Sequence, residues 1–359
     1  MKMDIRYSRQ MALPGWGVDG QRRLRSSSVL VVGVGGLGST VLMQLVSAGV
    51  GRIVFFDSDV VTLSNLNRQF LFKESDIGFN KALTARRILL EIDTKADLEA
   101  FPFRFEPSHA ERSLSSYDII VDCTDDPFTR IMMSDAAALA KVPLIHASLF
   151  RFEGHLTMFH HDEAGRRWTL RSVFPDYPDQ ILSDCSNEGI AGPVAQSVAG
   201  MQSMEVLKYL TGIGNNLMGR LLIIDLLTNI MTEVEVPADA GIRQEAPSSW
   251  SEFRMRYMDN KCGEYELEAI RLSDSEFIMI DIREEFELSG PPVGIHMPMA
   301  EVRGRLSDLP SGINTVFVCD RGIRSATVVQ MLRKEFGMQN VFSLRGGIAT
   351  LQDGAYKAV

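Results

Sequence analysis

Cysteine is scarce and scattered: Cys123, Cys185, Cys262 and Cys319 lie far apart in 359 residues. That spacing argues against a disulfide-stapled secreted domain and makes a reducing cytosol the expected compartment. The opening MKMDIRYSRQMAL lacks the apolar stretch and small-residue site of a secretion signal. Positive charge is also in deficit, with Lys+Arg 37 against Asp+Glu 46 and a net charge of -9. A nucleic-acid surface covering the molecule is therefore excluded, although a local Arg/Lys patch suffices for a phosphate. Internal repeats and low-complexity tracts are absent. Apolar residues at 45% and charged residues at 23% are those of ordinary globular proteins, so disorder and fibrous architectures are poor fits. The one stretch long enough to suggest a membrane span, the charge-free run from Ser26 to Gly51, holds six glycines between Val29 and Gly51. It divides into a β-branched strand, a glycine-rich turn and a helix, so no membrane span is expected.

The chain is long enough for two or three compact units at roughly 150 residues each. Strand-like and helix-like segments alternate. Strands are expected at Ser28–Val32, Arg52–Phe56, Asp118–Val121 and Pro143–His146, and helices at Gly36–Ala48, Asn80–Ile92 and Phe128–Ala140. This is the pattern of an α/β, Rossmann-like doubly wound parallel sheet, entered through a short charged arm. Beyond Phe150 come strands near His155–Phe159, Leu221–Asp225 and Ile230–Val236, and a helix from Pro193 to Leu210. The stretch PADAGIRQEAPSSWS, between Pro237 and Ser251, lacks apolar periodicity and reads as a linker. Alternation resumes with strands at Phe277–Ile280, Thr315–Val318 and Asn340–Phe342 and a helix at Ser325–Phe336. The expected organisation is thus 1–236, a linker over 237–260, and a smaller α/β domain over 261–359.

Gly33-Val-Gly-Gly-Leu-Gly38 follows a strand and opens a helix, and Asp57 ends the next strand nineteen residues on. Glycines allow the tight turn, the helix N-terminus attracts phosphate, and the aspartate is placed for ribose hydroxyls. Alone, this fits either a nicotinamide-dependent oxidoreductase or a mononucleotide site. More specific are Arg6-Tyr-Ser-Arg-Gln10, the run Asp57-Ser-Asp-Val-Val-Thr-Leu-Ser-Asn-Leu-Asn-Arg-Gln69, Lys81, and Asp122-Cys-Thr-Asp-Asp-Pro-Phe-Thr-Arg130. In order and spacing, from Arg6 to about Val236, these resemble the ThiF/MoeB/HesA branch of the ubiquitin-activating-enzyme superfamily.

The resemblance implies that ATP adenylates the C-terminal glycine of a ubiquitin-like sulfur carrier protein ending in Gly-Gly. A carboxylate accepts sulfur poorly until AMP is attached as a leaving group. Bringing carboxylate and triphosphate together calls for cationic groups and metal. By the same resemblance the nucleotide is held by Gly33, Gly35, Gly36, Gly38, Asp57, Asp59, Ser64, Asn65, Arg68, Gln69 and Lys81, with Asp125 and Asp126. Asp125 is the implied Mg2+ ligand. Arg9 is implied to reach into a partner subunit's site, which makes the protein a homodimer. Asp126 stands where the family usually has Asn, a carboxylate that either joins the metal or adds repulsion.

Two cysteines carry implied sulfur chemistry. Cys185, in Asp184-Cys-Ser-Asn-Glu-Gly-Ile-Ala-Gly-Pro193, matches the family cysteine that forms a thioester or a disulfide with the carrier. Cys319 opens Cys-Asp-Arg-Gly-Ile-Arg-Ser325 between a strand and a helix, which resembles the rhodanese active-site loop. Asp281-Ile-Arg283, Gly294-Ile-His-Met-Pro298 and Leu344-Arg-Gly-Gly347 support that resemblance. Backbone N–H groups, the helix N-terminus and Arg324 would stabilise a thiolate or persulfide there, loaded by a cysteine desulfurase or thiosulfate. Relatives commonly carry two C-x-x-C pairs for a structural zinc. Here the first aligned segment reads Thr169-Leu-Arg-Ser172 and no pair occurs, so no structural Zn2+ is expected. The alternatives are a non-catalytic, regulatory carrier-binding protein with a degenerate adenylation site, and the oxidoreductase, which leaves Ser64–Gln69, Lys81 and the second domain without a role.

Overall fold

The computed structural model describes residues 5–161, 165–174, 189–238, 246–259, 266–267, 277–283, 285, 288, 290–309, 312–319, 322–344, 346–348 and 351. They fall into two compact units, 1–258 and 259–359.

The N-terminal segment, read as an arm, forms two helices, α1 (Ser8–Met11) and α2 (Gly17–Ser26). It is tied down by apolar and amide contacts that its charge obscures. Tyr7 is buried against Gly49, and Gln10 and Gln21 both donate to the Ala48 carbonyl. The charge-free run then becomes β1 (Ser28–Val32) and α3 (Gly38–Ala48), followed by β2 (Arg52–Phe56). Next come α4 (Lys81–Ile92), β3 (Asp97–Phe101), α5 (Pro107–Ser113), β4 (Ile119–Asp122) and α6 (Pro127–Ala140). β5 (Leu144–Phe150), β6 (Glu153–Phe159), α7 (Leu170–Val173), α8 (Gly192–Thr211), β7 (Arg220–Asp225) and β8 (Ile230–Glu235) follow. The strands form one sheet in the order β3-β2-β1-β4-β5-β6-β7-β8. β3 to β5 pair in parallel and β5 to β8 antiparallel. Apolar residues point both ways from the parallel strands, as burial beneath two helical layers requires. Val29, Val31, Ile53 and Phe55 enter one core with α3 and α8, while Leu30, Val32, Val54 and Ile120 enter the other with α6. Strand order reverses between β1 and β4, which opens a crevice at their carboxyl ends. No helix among the described residues is long and apolar enough to cross a membrane.

The first unit runs past the expected end at 236. Residues 246–258, which composition assigns to the linker, pack on it. α9 (Trp250–Arg254) starts at Ser249, whose side chain accepts from the Glu252 N–H, while Glu252 accepts from the Ser248 N–H at 2.7 Å. The serines that read as linker composition are thus a helix start. Phe253 is fully buried in the core of α6. A π-helical turn over Met255–Asp259 follows, and Tyr257 donates to Asp135 Oδ2 at 2.6 Å. Arg171 closes the same carboxylate bidentately at 3.1 and 2.9 Å.

In the second unit, β9 (Glu266–Leu267), β10 (Phe277–Asp281), β11 (Ile295–His296), β12 (Asn314–Val318) and β13 (Val341–Leu344) form a parallel sheet ordered β11-β10-β12-β13-β9. α10 (Ile323–Phe336) packs on it through Val328, Val329 and Leu332.

Phe253→Ala should destabilise the first unit by about 3–5 kcal/mol, the cost of emptying a fully buried aromatic site. Urea unfolding of the full chain checks this; a change of only a few tenths would mean that the segment is a linker after all.

Candidate active site

Two glycines let the crevice form. Gly33 has φ 96°, and a Cβ there would stand 2.5 Å from the Cys123 carbonyl oxygen; one at Gly38 would stand 1.9 Å from the Gly33 oxygen. Only hydrogen at both positions lets β1, the end of β4 and α3 meet. Asp57 then bridges two turns, accepting from the Val34 N–H at 2.7 Å and the Asp59 N–H at 2.8 Å. Burial raises its carboxyl above the ordinary range, against the pull of Lys81 and the two N–H groups. Beside it, Asn80 caps α4 and donates to the carbonyls of Asp57 and Asp59. Lys81, only 6% exposed, is paired with Asp59 Oδ2 at 3.2 Å. At a helix N-terminus, where its charge opposes the dipole, this lysine is kept buried by that pairing and by the nearby Asp57.

The segment after Asp59 folds over the loop in short turns. Asn65 Oδ1 accepts from the Thr62 N–H at 3.3 Å, Ser64 Oγ lies 3.0 Å from Thr62 Oγ1, and the Ser64 carbonyl accepts from Arg68 at 2.8 Å. Arg68 also lies over Gly36, where a Cβ would meet its Cγ at 3.7 Å. Gln69 is 3% exposed, its amide nitrogen faces Gly35, and its Oε1 has no partner. A buried amide oxygen left unsatisfied is costly. The oxygen is an acceptor and so suits a hydroxyl or amino donor, whereas an anion suits the N–H groups from Gly35 to Gly38, which have no backbone partner while those of Ser39, Thr40 and Val41 are taken up within the turn.

The opposite wall is the loop from Asp122 to Arg130. Asp122 is buried; it accepts from the Thr124 N–H at 3.1 Å, from Arg130 Nε at 3.1 Å and from His146 Nδ1 at 2.6 Å. Burial alone would raise its carboxyl, but Arg130 and His146 outweigh that and hold it below the usual range. Arg130 also donates to the Thr124 carbonyl, so Thr124 is gripped on both sides. Asp125 follows, exposed and making no hydrogen bond or ion pair among the described residues. Beside it, Asp126 Oδ2 caps α6 by accepting from the Thr129 N–H at 3.1 Å. Asn and Asp cap helices about equally well, so this departure from the family pattern preserves a structural role. Arg130 and His146 escaped the sequence reading as site residues. For Arg130 the Asp122-to-Arg130 spacing was the available signal; for His146, within an apolar strand, there was none.

Arg9 is exposed on α1, next to Gln10, which bonds Ala48 at the C-terminal end of α3. Eleven residues of α3 separate that end from the glycine loop, about 16 Å at 1.5 Å per residue, so α1 lies at the end of α3 away from the crevice. Thr169 and Ser172, in the segment aligned to the zinc-binding pair of relatives, join by an N–H to Oγ bond of 3.0 Å, and Arg171 is bound to Asp135. No group of three or more His, Cys, Asp or Glu placed to hold a metal occurs among the described residues. Cys185 and Cys262 lie outside the described residues.

In the second unit Cys319 directly follows β12 and is 1% exposed. Its carbonyl accepts from the Ile348 N–H at 2.9 Å, and its Sγ lies 3.6 Å from Ser325 Oγ. Gly322, at φ 83°, starts α10; a Cβ there would stand 2.7 Å from the Leu344 oxygen. The loop is thereby locked to the Leu344–Gly347 turn. Arg283 pairs bidentately with Asp281, which also accepts from the Val293 N–H at 3.0 Å, and His296 Nε2 lies 2.8 Å from the Arg283 carbonyl oxygen, so two of the sequence signatures brace each other. The side chain of Arg324 is outside the described residues.

Residues 7–242 match the ThiF family and residues 266–353 the rhodanese-like domain. The chain is 32% identical to the probable adenylyltransferase/sulfurtransferase MoeZ of Mycobacterium tuberculosis, over 96% of this chain and 91% of that protein. It is likewise 32% identical to the adenylyltransferase and sulfurtransferase MOCS3 of Drosophila yakuba, over 96% and 82%. Among solved structures, PaaA aligns with TM-score 0.57 at 23% identity, covering 66% of this chain and 84% of that one. E. coli MccB with ATP aligns with TM-score 0.58 at 21% identity, covering 66% and 72%. At those identities the likeness shows the fold alone.

Two outcomes test the electrostatics. Asp126→Asn should leave stability within a few tenths of a kcal/mol, whereas Asp126→Ala should cost about 0.5–2 kcal/mol in urea unfolding. Burial lowers the pKa of His146, His155 and His160 below the ordinary histidine value, so the unfolded chain takes up protons that the folded one refuses. Their contribution to stability is present above about pH 6.5 and is lost as pH falls through the depressed folded values. Urea midpoints measured between pH 7.5 and 5 should fall, and less steeply in His146→Asn; an unchanged slope in that variant would refute the assignment.

Proposed function

The chain belongs to the ThiF family, and from that membership, its rhodanese-like domain and the geometry above we propose that it is an adenylyltransferase/sulfurtransferase acting on a ubiquitin-like sulfur carrier protein. One observation supports the nucleotide half most: the buried Lys81, beside Asp57, and the N–H groups of Gly35 to Gly38, which no backbone bond takes up, flank one glycine loop, opposite the exposed carboxylate of Asp125. That is a site for a polyphosphate and its counter-cation.

In this reading the carrier's terminal carboxylate attacks the α-phosphorus of ATP, and pyrophosphate leaves with the broken P–O bond. Arg68 and Lys81 hold the phosphates, while Gln69 and the Gly35–Gly36 backbone orient them. Asp57 fixes the loop through Val34 and orients toward the ribose. Mg2+ at Asp125 would supply the charge screening that lets two anions meet. The side chain of Arg9, remote from its own crevice, completes that of a second copy, which makes the working form a homodimer.

The product is a mixed anhydride whose acyl carbon is open to attack. Cys319 takes sulfane sulfur from a donor such as a cysteine desulfurase or thiosulfate, and the outer sulfur of its persulfide displaces AMP to form an acyl disulfide. Cys185 then attacks the Cys319 sulfur, the carrier leaves as thiocarboxylate, and the resulting disulfide is reduced by an external thiol. Both thiols require a reducing compartment, as the cytosol provides. Joining the two activities in one chain raises the local concentration of persulfide near the adenylate.

ATP–pyrophosphate exchange with a panel of carriers ending in Gly-Gly, followed by intact-mass analysis for replacement of oxygen by sulfur, tests this scheme. Cys319→Ala should keep exchange and yield no thiocarboxylate; Asp125→Ala should lose exchange by at least tenfold. The reverse pattern would overturn the division of roles.

A further inference from the structure

The turn that carries Arg68 is joined to the start of α3 by a side chain to which the scheme above gives no task. Gln196 lies one turn into α8. Its Nε2 donates to the Arg68 carbonyl at 3.1 Å, and its Oε1 accepts from Thr40 Oγ1 at 2.6 Å. Thr40 is 4% exposed, in the first turn of α3. One amide therefore spans the Arg68 peptide and the helix whose opening N–H groups line the glycine loop. Its orientation is fixed: a carbonyl only accepts, so the amide nitrogen faces Arg68 and the oxygen is left for the single proton of the Thr40 hydroxyl.

The same face of α8 closes on this turn at three successive points. A Cβ at Gly192 would stand 2.3 Å from the Asn67 carbonyl oxygen, and one at Gly36 would meet Ala195 Cβ at 3.4 Å and Arg68 Cγ at 3.7 Å. Residues i, i+3 and i+4 of one helix thus meet Asn67, Gly36 and Arg68. Packing sets how near α8 comes; the two directed bonds of Gln196 set where Arg68 stands along α3. The bonds of the guanidinium itself do not: it donates to the Ser64 carbonyl at 2.8 Å and to Asn67 Oδ1 at 3.0 Å, both within its own turn, so they travel with it. A binding group serves its ligand only when held within about 0.5 Å of its working position.

We propose that Gln196 is a positioning residue for phosphate binding: anchored on Thr40, it holds the Arg68 peptide against the start of α3, so that the arginine and the N–H groups of Gly35 to Gly38 meet one anion together. The proposal rests on the reading that Arg68 contacts a phosphate of ATP. Gln196 touches no ligand in this scheme and acts only through Arg68.

The experiment measures binding of Mg-ATP and of adenosine to the full-length protein by calorimetry. Gln196→Met, similar in volume but unable to make either bond, should weaken Mg-ATP by roughly three- to tenfold, the size of one modest hydrogen bond, and leave adenosine within about twofold. Thr40→Val should act in the same direction and keeps the test open should Gln196→Met not fold; Thr40→Ser, which retains the hydroxyl, should bind as wild type does. Arg68→Ala should weaken Mg-ATP by about tenfold or more, as loss of a charged hydrogen bond does. Adding Gln196→Met to Arg68→Ala should then cost less than about twofold further, because its effect passes through the arginine. Unchanged Mg-ATP binding in Gln196→Met would overturn the proposal. So would equal losses for Mg-ATP and adenosine, which mark a packing role, or a double variant weakened by the product of the single effects. Arg68→Ala that binds Mg-ATP as wild type does refutes the phosphate role of Arg68 itself, and the proposal goes with it; that arm separates failure of the underlying reading from failure of the role given to Gln196.

Discussion

The contact on which the first unit turns is backbone against backbone: the Gly33 Cα lies against the Cys123 carbonyl, and Gly38 against Gly33. Any side chain at either glycine would force β1, β4 and α3 apart. With hydrogen there, the end of β4 and the start of α3 lie against each other at the head of the crevice. Everything functional in the unit is fixed relative to this crossing. Asp57 ties the loop through Val34, Lys81 is set by its pairing with Asp59, and Asp125 projects from the segment that begins at Cys123.

Polar groups in this unit are sorted by whether they are used up. Asp122, Asp126 and Asp135 are each satisfied within the fold, by Arg130 and His146, by the helix end at Thr129, and by Arg171 with Tyr257. Removing one partner from the buried pairs of Asp122 or Asp135 leaves an uncompensated charge, a loss of about 3–5 kcal/mol, so those two are rigid supports, and Asp126 is a lighter one. Asp125 and the Gln69 oxygen remain unclaimed. The contrast separates scaffold from chemistry more sharply than residue type does, since aspartates fall on both sides.

Most of the sheet was legible because its strands are short apolar runs flanked by turn residues, and the crevice was legible because Gly33–Gly38 needs glycine for steric reasons that leave a spacing in the sequence. β3 was not: Asp97–Phe101 carries two acids in five residues and is an edge strand, where exposure relaxes the apolar pattern. α2 was hidden by charge, with four of its ten residues ionic. His146 gave no sign because its partners lie 24 residues back, on the neighbouring strand. The stretch before α9 misled because Ser, Pro and Ala suit a tether and a helix start equally well; only the apolar Trp250, Phe253 and Tyr257, three and four apart, marked it as a face to be buried.

The docking of α9 has a consequence for how such a two-part protein can be taken apart. The core around α6 is completed by Phe253 and Tyr257, residues that come after the whole of the sheet. A gene cut where the last strand ends would therefore release a product with an open seam beside the helix that follows the Asp122–Asp126 loop. A junction that keeps the first unit of this chain whole lies beyond Met258, and the ten residues before it go with that unit as its closing piece.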